Sequence, residues 1–244
     1  MPMPTESLPS PFAPAPEPPP GLAGVPLLRL LQLTSPSLPI GAFAYSQGLE
    51  QAVAMGAITD EASAKDWILG LLKHGIGPLD LPVLLRLRRA FVADDPARAR
   101  TWNDFLYASR GSAELRLEDQ HLGEALARVL IGLGISPAKA WLGGGNTTYA
   151  AMFALGAAAW DIPEAATLSG FAFAWTEAQV GAATRIVPLG HSTAQRIVSA
   201  ALPLLDAVVA RAFSIEDDDV GACTPGQAIA SALHETLYSR LCRS

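Results

Sequence analysis

Basic residues and cysteines are scarce in this sequence of 244 residues. Lys and Arg together number 17 against 23 Asp and Glu, which gives a formal net charge of −6. Nucleic-acid binding needs a clustered basic face, so this balance argues against it. Two cysteines do not form a disulfide framework. The first basic residue is Arg29, so the basic region of a secretory signal is lacking, and we expect a cytoplasmic protein.

Long apolar runs are also lacking, although half of the residues are hydrophobic and only 16% are charged. A membrane span needs roughly 18 consecutive apolar residues. The run from Tyr149 to Trp160 is apolar or small over only 12 residues, and the segment from Ile197 to Phe213 is interrupted by Pro203 and charged residues. We therefore expect no membrane span. The high apolar content instead predicts surfaces that are buried against partner proteins.

Patterns typical of catalytic, cofactor and metal sites are not found. The four histidines, His74, His121, His191 and His234, show no ligand spacing, and each is expected to be a surface residue or a satisfied core residue. The run Gly143 to Asn146 is not followed by the Gly-Lys-Ser/Thr of a phosphate loop. We therefore predict no catalytic residue, no cofactor and no metal site, and hence no enzyme.

An enzymatic alternative remains open at this point. Glu50, Glu177 and Asp206 lie within apolar segments, where desolvation can raise the pKa of a carboxyl group. An all-α enzyme acting on a small molecule could use such acids. A ligand-sized cavity lined by two convergent carboxylates would favour this alternative.

What the sequence does contain is helical periodicity. Apolar residues recur at intervals of three and four, as in Leu122, Leu126 and Val129, and no stretch shows the alternation typical of a strand. We predict an all-α, single-domain bundle of about ten helices over residues 27–244. The predicted helices cover 27–33, 41–55, 60–74, 79–93, 96–109, 113–133, 137–142, 147–160, 164–186, 192–213 and 225–241.

Residues that cap and end helices support this prediction. Asp95 precedes Pro96, as an N-cap precedes the first helical position. Gly56, Gly75 and Gly134 follow periodic segments, as helix-ending glycines do. Residues 1–26 hold 10 of the 20 prolines and predict a disordered proline-rich arm.

Three blocks contain polar residues that do not follow the core pattern. The first runs from Leu33 to Glu50 and includes Tyr45, Ser46 and Glu50. The second, Phe173 to His191, is a small-residue helix that ends near Arg185 before Pro-Leu-Gly. The third is the carboxyl-terminal tail, Leu237 to Ser244. Chain ends are usually polar and frayed, so an end with Tyr, two Leu and two Arg indicates docking.

In this order and at these separations, the blocks resemble the urease accessory protein family UreF over residues 27–244. The stretch S-P-x-L-P-I-G-x-F-x-Y-S-x-G-L-E carries most of the resemblance. Two positions depart from the family pattern: His191 stands where Gln is common, and Cys242 stands where Phe is common. A smaller side chain at 242 would weaken the anchor of the tail or move it to Tyr238 and Leu241.

The resemblance implies a helical, non-catalytic homodimer that assists nickel insertion into apo-urease. Its partners would be the accessory protein UreD (also called UreH) and the GTPase UreG, whose activity it would modulate. The docking region at the carboxyl terminus, about residues 225–244, includes this tail and would hold the UreD partner. The residues matching the tail are Tyr238, Arg240, Leu241, Arg243 and Ser244; Tyr45, Ser46, Glu50 and Arg185 match the other two blocks. A helical adaptor of an unrelated complex is a further alternative.

Overall fold

The computed structural model describes residues 23–243, and the regular secondary structure in this part of the chain is helical, without a strand. The prediction of an all-α bundle of about ten helices is therefore confirmed. The helices are α1 (Gly24–Leu33), α2 (Leu49–Ala54), α3 (Glu61–Leu71), α4 (Leu81–Val92), α5 (Pro96–Ala108), α6 (Ala113–Gly132), α7 (Tyr149–Ala159), α8 (Glu164–Ile186), α9 (His191–Ala212) and α10 (Pro225–His234). Short 3₁₀ turns cover Ala42–Ala44, Ser136–Trp141 and Asp217–Asp219.

The predicted proline-rich arm lies mostly outside the described residues, as do Ser244 and the side chain of His191. The structure describes the chain from residue 23 onward, so it includes the last four residues of the predicted arm, 23–26. Helix α1 starts at Gly24 and includes Pro26 in its first turn, where a proline costs no hydrogen bond because the amide there has no helical partner. The first helix therefore begins earlier than residue 27, where periodicity alone places its start.

The centre of the bundle is the packing of α4 against α7. Residues 150–157 of α7 are all buried, and so are residues 81–87 of α4. A helix that is apolar on every side has to be enclosed by other elements. Helices α5, α6 and α8 pack around this pair, and α9 packs on the outer side of α8.

Helices α3 and α4 are joined by a π-helical segment, Leu72–Asp80, instead of by a loop. The prediction that Gly75 ends a helix was wrong, since the chain stays helical through Pro78. Proline cannot join the α-helical hydrogen-bond pattern, and the wider π-turn accommodates it. The last residue of this segment, Asp80, is buried and contributes to the cavity described below.

The predicted helix over residues 41–55 is divided. Gln47 and Gly48 both have left-handed backbone conformations, with φ of 52° and 84°, which interrupt a helix. At Gly48 a Cβ atom would lie 3.0 Å from the backbone nitrogen of Ser231. Glycine at this position therefore allows α2 and α10 to pack closely, which brings the first block next to the carboxyl terminus.

Two helical stretches meet the length and hydropathy of a membrane span. They are Glu61–Val92, 67% of whose apolar window is buried in the protein, and Ser192–Ala212, with 33% buried. Both stretches are longer than the uninterrupted apolar runs of the sequence, because each of them also includes proline and charged residues. The first contains the core helix α4, so its hydropathy is explained by burial. The exposed face of the second carries Arg196, Asp206 and Arg211.

Candidate functional site

The carboxyl-terminal tail is attached to the carboxylate of Glu50. Glu50 lies in the first turn of α2 and is only 6% exposed. Its Oε1 accepts a hydrogen bond from the backbone N–H of Leu241 at 2.7 Å. Its Oε2 accepts one from the backbone N–H of Cys242 at 2.9 Å. Two successive amides on one carboxylate fix the register of the tail relative to α2.

His234, at the end of α10, connects the same carboxylate to a second one. The imidazole is fully buried, with Nε2 3.1 Å from Oε2 of Glu50 and Nδ1 2.9 Å from Oε2 of Glu114. Arg240 donates to the other oxygen of Glu114 at 3.0 Å. Glu50, His234, Glu114 and Arg240 therefore form one hydrogen-bonded chain.

These hydrogen bonds lower the pKa of Glu50. Burial by itself raises the pKa of a carboxyl group. The amides of Leu241 and Cys242, together with His234, outweigh burial, and the pKa of Glu50 is lowered from its ordinary value of 4.5. The carboxylate form is thus the one that holds the tail.

The tail also contacts the first block directly. The backbone N–H of Arg243 donates to the carbonyl oxygen of Ala44 at 2.7 Å. The hydroxyl of the neighbouring Tyr45 lies 3.0 Å from Nδ1 of His121. Burial raises the pKa of Tyr45, although a hydrogen bond with the Arg243 side chain opposes this effect. The last described residue is therefore held by backbone and side chain together.

Among the described residues of the tail, Cys242 has a buried side chain. It is 5% exposed, and its Sγ lies 3.8 Å from a guanidinium nitrogen of Arg185. Burial raises the pKa of the thiol above its ordinary value, and this effect is larger than the opposing effects of Arg185 and of a hydrogen bond with Ser46. Tyr238 and Leu241, by contrast, are fully exposed and 74% exposed. Their predicted part in anchoring the tail to a partner stays a prediction.

The structure thus brings together six of the residues singled out from sequence. Tyr45, Ser46, Glu50, Arg185, Arg240 and Arg243 form one cluster with Cys242, which we call the tail cluster. Sequence analysis does not identify Glu114, His121 and His234 as members. Of the two roles expected for His234, that of a satisfied core histidine is confirmed. Its two partners lie 184 and 120 residues away, so no spacing could indicate them.

A cavity of about 470 Å³ lies between the first block, α6, α8, the π-helical segment and the start of α10, and Arg185 of the tail cluster is on its wall. On its wall, Arg110 donates to Asp80 at 2.6 Å and to Asp119 at 2.8 Å. Burial raises the pKa of Asp80 in spite of Arg110. Burial alone would lower the pKa of Arg110, but the two carboxylates raise it. The two acids therefore converge on a shared guanidinium group.

The acids named for an enzymatic alternative do not meet. Glu50 binds the tail, Glu177 lines the cavity, and Asp206 is exposed on α9. Within residues 23–243, no group of three or more His, Cys, Asp or Glu side chains is arranged to hold a metal ion.

Comparison with known proteins gives a consistent result. Residues 58–202, more than half of the chain, match the sequence model of the family described as UreF. A "Urease accessory protein UreF" from Hahella chejuensis is 43% identical over 218 residues, which cover 89% of this chain and 98% of the relative. The protein of the same name from Teredinibacter turnerae is 46% identical with the same coverage. That from Chromohalobacter salexigens is 45% identical over 221 residues, 89% of this chain and 94% of the relative.

All three relatives carry the name of an accessory protein, and each is aligned with this chain over nearly its whole length. The resemblance inferred from the three blocks is therefore confirmed, and this chain belongs to the UreF family of urease accessory proteins.

Proposed function

We propose that this chain acts as a non-catalytic scaffold in the maturation of urease. Working as a homodimer in the cytoplasm, it binds a UreD/UreH-type accessory protein and a UreG-type GTPase, assists nickel insertion into apo-urease, and modulates the GTPase. It uses no cofactor of its own and binds neither nucleic acid nor a membrane. Membership of the UreF family supports this proposal, because its relatives are named as urease accessory proteins.

One structural observation supports a docking role for the tail. Hydrogen bonds to Glu50 and Ala44 hold the backbone of Leu241, Cys242 and Arg243 in a single register. The side chains of Tyr238 and Leu241 remain exposed in this register. An aromatic and an aliphatic side chain presented on a fixed backbone suit a partner surface, because little conformational entropy is lost on binding.

The cavity does not support a catalytic function for this chain. It has the size expected of a ligand site, but its two convergent carboxylates, Asp80 and Asp119, are ion-paired with Arg110. A general acid and a general base need pKa values pushed apart and a free proton-transfer path. A guanidinium group shared by both acids leaves neither of them free to act as a general acid or a general base.

Deletion of residues 237–244 tests the scaffold proposal. The full-length and truncated chains are co-expressed with UreD-type and UreG-type proteins, and the complexes are isolated through a tag on the UreD-type protein. We expect the truncated chain to be lost from the complex, with its helical circular dichroism unchanged. A folded, truncated chain that still assembles would contradict the docking role of the tail.

A further inference from the structure

The cavity of about 470 Å³ adjoins the tail cluster, because Arg185 belongs to both, and its other walls have a distinct chemistry. Four aromatic side chains line it: Phe43, Tyr149, Phe171 and Trp175. Tyr149 and Phe171 are stacked with their ring centres 5.4 Å apart. Cavities of this volume enclose small ligands or a single side chain, and aromatic faces attract cations through their quadrupoles.

Acidic side chains on the cavity wall outnumber basic ones, since Glu118 and Glu177 line it beside Asp80 and Asp119, whereas Arg185 is the second base beside Arg110. Asp80 and Asp119 share the single guanidinium group of Arg110, and all three line the cavity. When both acids are ionised, this triad carries a net charge of −1. An uncompensated buried charge is costly unless a proton or a counter-ion compensates it.

The orientation of one aromatic wall is fixed by a glutamine. The indole N–H of Trp175 donates to Oε1 of Gln47 at 2.9 Å, and Nε2 of Gln47 donates to Glu118 at 2.8 Å. Gln47 has a left-handed backbone conformation, which is unfavourable for a residue other than glycine. The ring is thus held against the cavity by a residue with a strained backbone and a hydrogen-bonded side chain.

From this combination we infer that the cavity is a binding site for an organic cation that bears N–H groups on an apolar stem, an alkylammonium or alkylguanidinium. The aromatic walls take the stem and the positive charge, and the carboxylates of the Asp80–Arg110–Asp119 triad compensate the charge. The same chemistry is offered by a free amine and by a lysine or arginine side chain of another protein. This inference goes beyond the scaffold function and does not depend on it.

The test uses the purified full-length chain and probes matched in size. n-Butylammonium and n-butylguanidinium are titrated by calorimetry beside n-butanol, which is uncharged. N-acetyl-lysine amide and N-acetyl-arginine amide form a second arm, which distinguishes a side chain from a free amine. Labelling of Cys223, an exposed thiol on the cavity wall, provides a second readout, because an occupant should slow its modification.

We expect at least one of the cations to bind at least tenfold more tightly than butanol and to slow labelling of Cys223. Glu177→Gln and Asp80→Asn should each weaken cation binding at least fivefold and leave butanol unchanged, because both acids line the cavity. Glu216→Gln, at an exposed acid outside the cavity, serves as the matched control. Should Asp80→Asn fail to fold, Glu177→Gln, at a partly exposed acid, carries the test alone. Equal affinity for butanol and the cations, or no binding of any probe at millimolar concentration, would overturn the inference.

Discussion

At the scale of single residues, Glu50 is the side chain that we expect to contribute most to holding the tail in place. Both of its oxygens accept from the tail backbone, whereas an amide would offer one acceptor and place an N–H₂ group against a donor. Glu50→Gln should therefore lower the free energy of unfolding by about 1–3 kcal/mol. Hydrogen exchange should show faster exchange at the amides of residues 241–243, with helical content unchanged.

The matched control is Glu216→Gln, because Glu216 is an exposed acid in the loop before α10. It should leave both the stability and the exchange of the tail unchanged. Unaltered exchange at residues 241–243 in Glu50→Gln would show that Glu50 does not hold the tail in solution.

The contribution of Glu50 should also depend on pH. Its pKa is lowered from 4.5 in the folded chain, so the folded state binds this proton less tightly than the unfolded state does. The stabilisation is thus present above pH 4.5 and is lost as pH falls through the lowered pKa. The titratable group facing Glu50 is His234, which connects it to Glu114 and Arg240.

Urea denaturation at pH values from 7 down to roughly 3 measures this dependence. The difference in unfolding free energy between the natural chain and Glu50→Gln should shrink as the pH is lowered. A difference that stays constant across the range would show that the carboxylate charge is not what stabilises the tail.

At the scale of helices, one glycine in α6 determines a close approach. A Cβ atom on Gly123 would lie 2.7 Å from the carbonyl carbon of Thr148 and still closer to the carbonyl oxygen of Thr147. Neither backbone can move without shifting a helix. Gly123→Ala should therefore lower the free energy of unfolding by about 3 kcal/mol or more.

Gly132 in the same helix is the matched control, since a Cβ atom added there would have no neighbour within 4 Å. Gly132→Ala should be neutral or stabilise the protein by up to about 1 kcal/mol, because alanine has the higher helix propensity. Chemical denaturation of both variants checks the pair, and equal effects would contradict the close approach at Gly123.

Helices can be predicted where their signals are local. Asp95 caps α5 by accepting from the backbone N–H of Arg98, as its place before Pro96 indicates. The π-helical segment cannot be predicted, because Gly75 and Pro78 resemble a helix stop and only tertiary packing keeps the chain helical there. The prediction that residues 235–241 continue α10 is wrong, since the helix ends at His234; in the tail, Glu50 replaces helical carbonyls as the acceptor for two amides.

At the scale of the whole molecule, the tail cluster joins segments that are far apart in sequence. Glu50 and Cys242 are separated by 192 residues, and neither periodicity nor spacing indicates such a contact. The family resemblance groups the three blocks and points to a shared role, but it does not indicate that they contact one another. The partners Glu114 and His234 follow ordinary helical patterns, so they can be recognised only from the fold.

The tail has two sets of side chains that should behave differently. Cys242 faces inward and is buried, whereas Tyr238 and Leu241 face outward. If the chain presents these two residues to a partner, replacing both with alanine should change the free energy of unfolding by less than about 0.5 kcal/mol. The same double variant should weaken capture of the UreD-type partner at least tenfold, measured by titration of the purified proteins.

Leu117→Ala is a matched control, since Leu117 is also an exposed leucine but lies on α6; it should change neither quantity. Glu50→Gln should lower both stability and capture, because it releases the backbone that positions the outward pair. If Tyr238→Ala with Leu241→Ala binds as the natural chain does while Glu50→Gln does not, the partner contacts the tail cluster through other groups. If neither variant affects capture, the tail is a folding element of the bundle and the docking surface lies elsewhere.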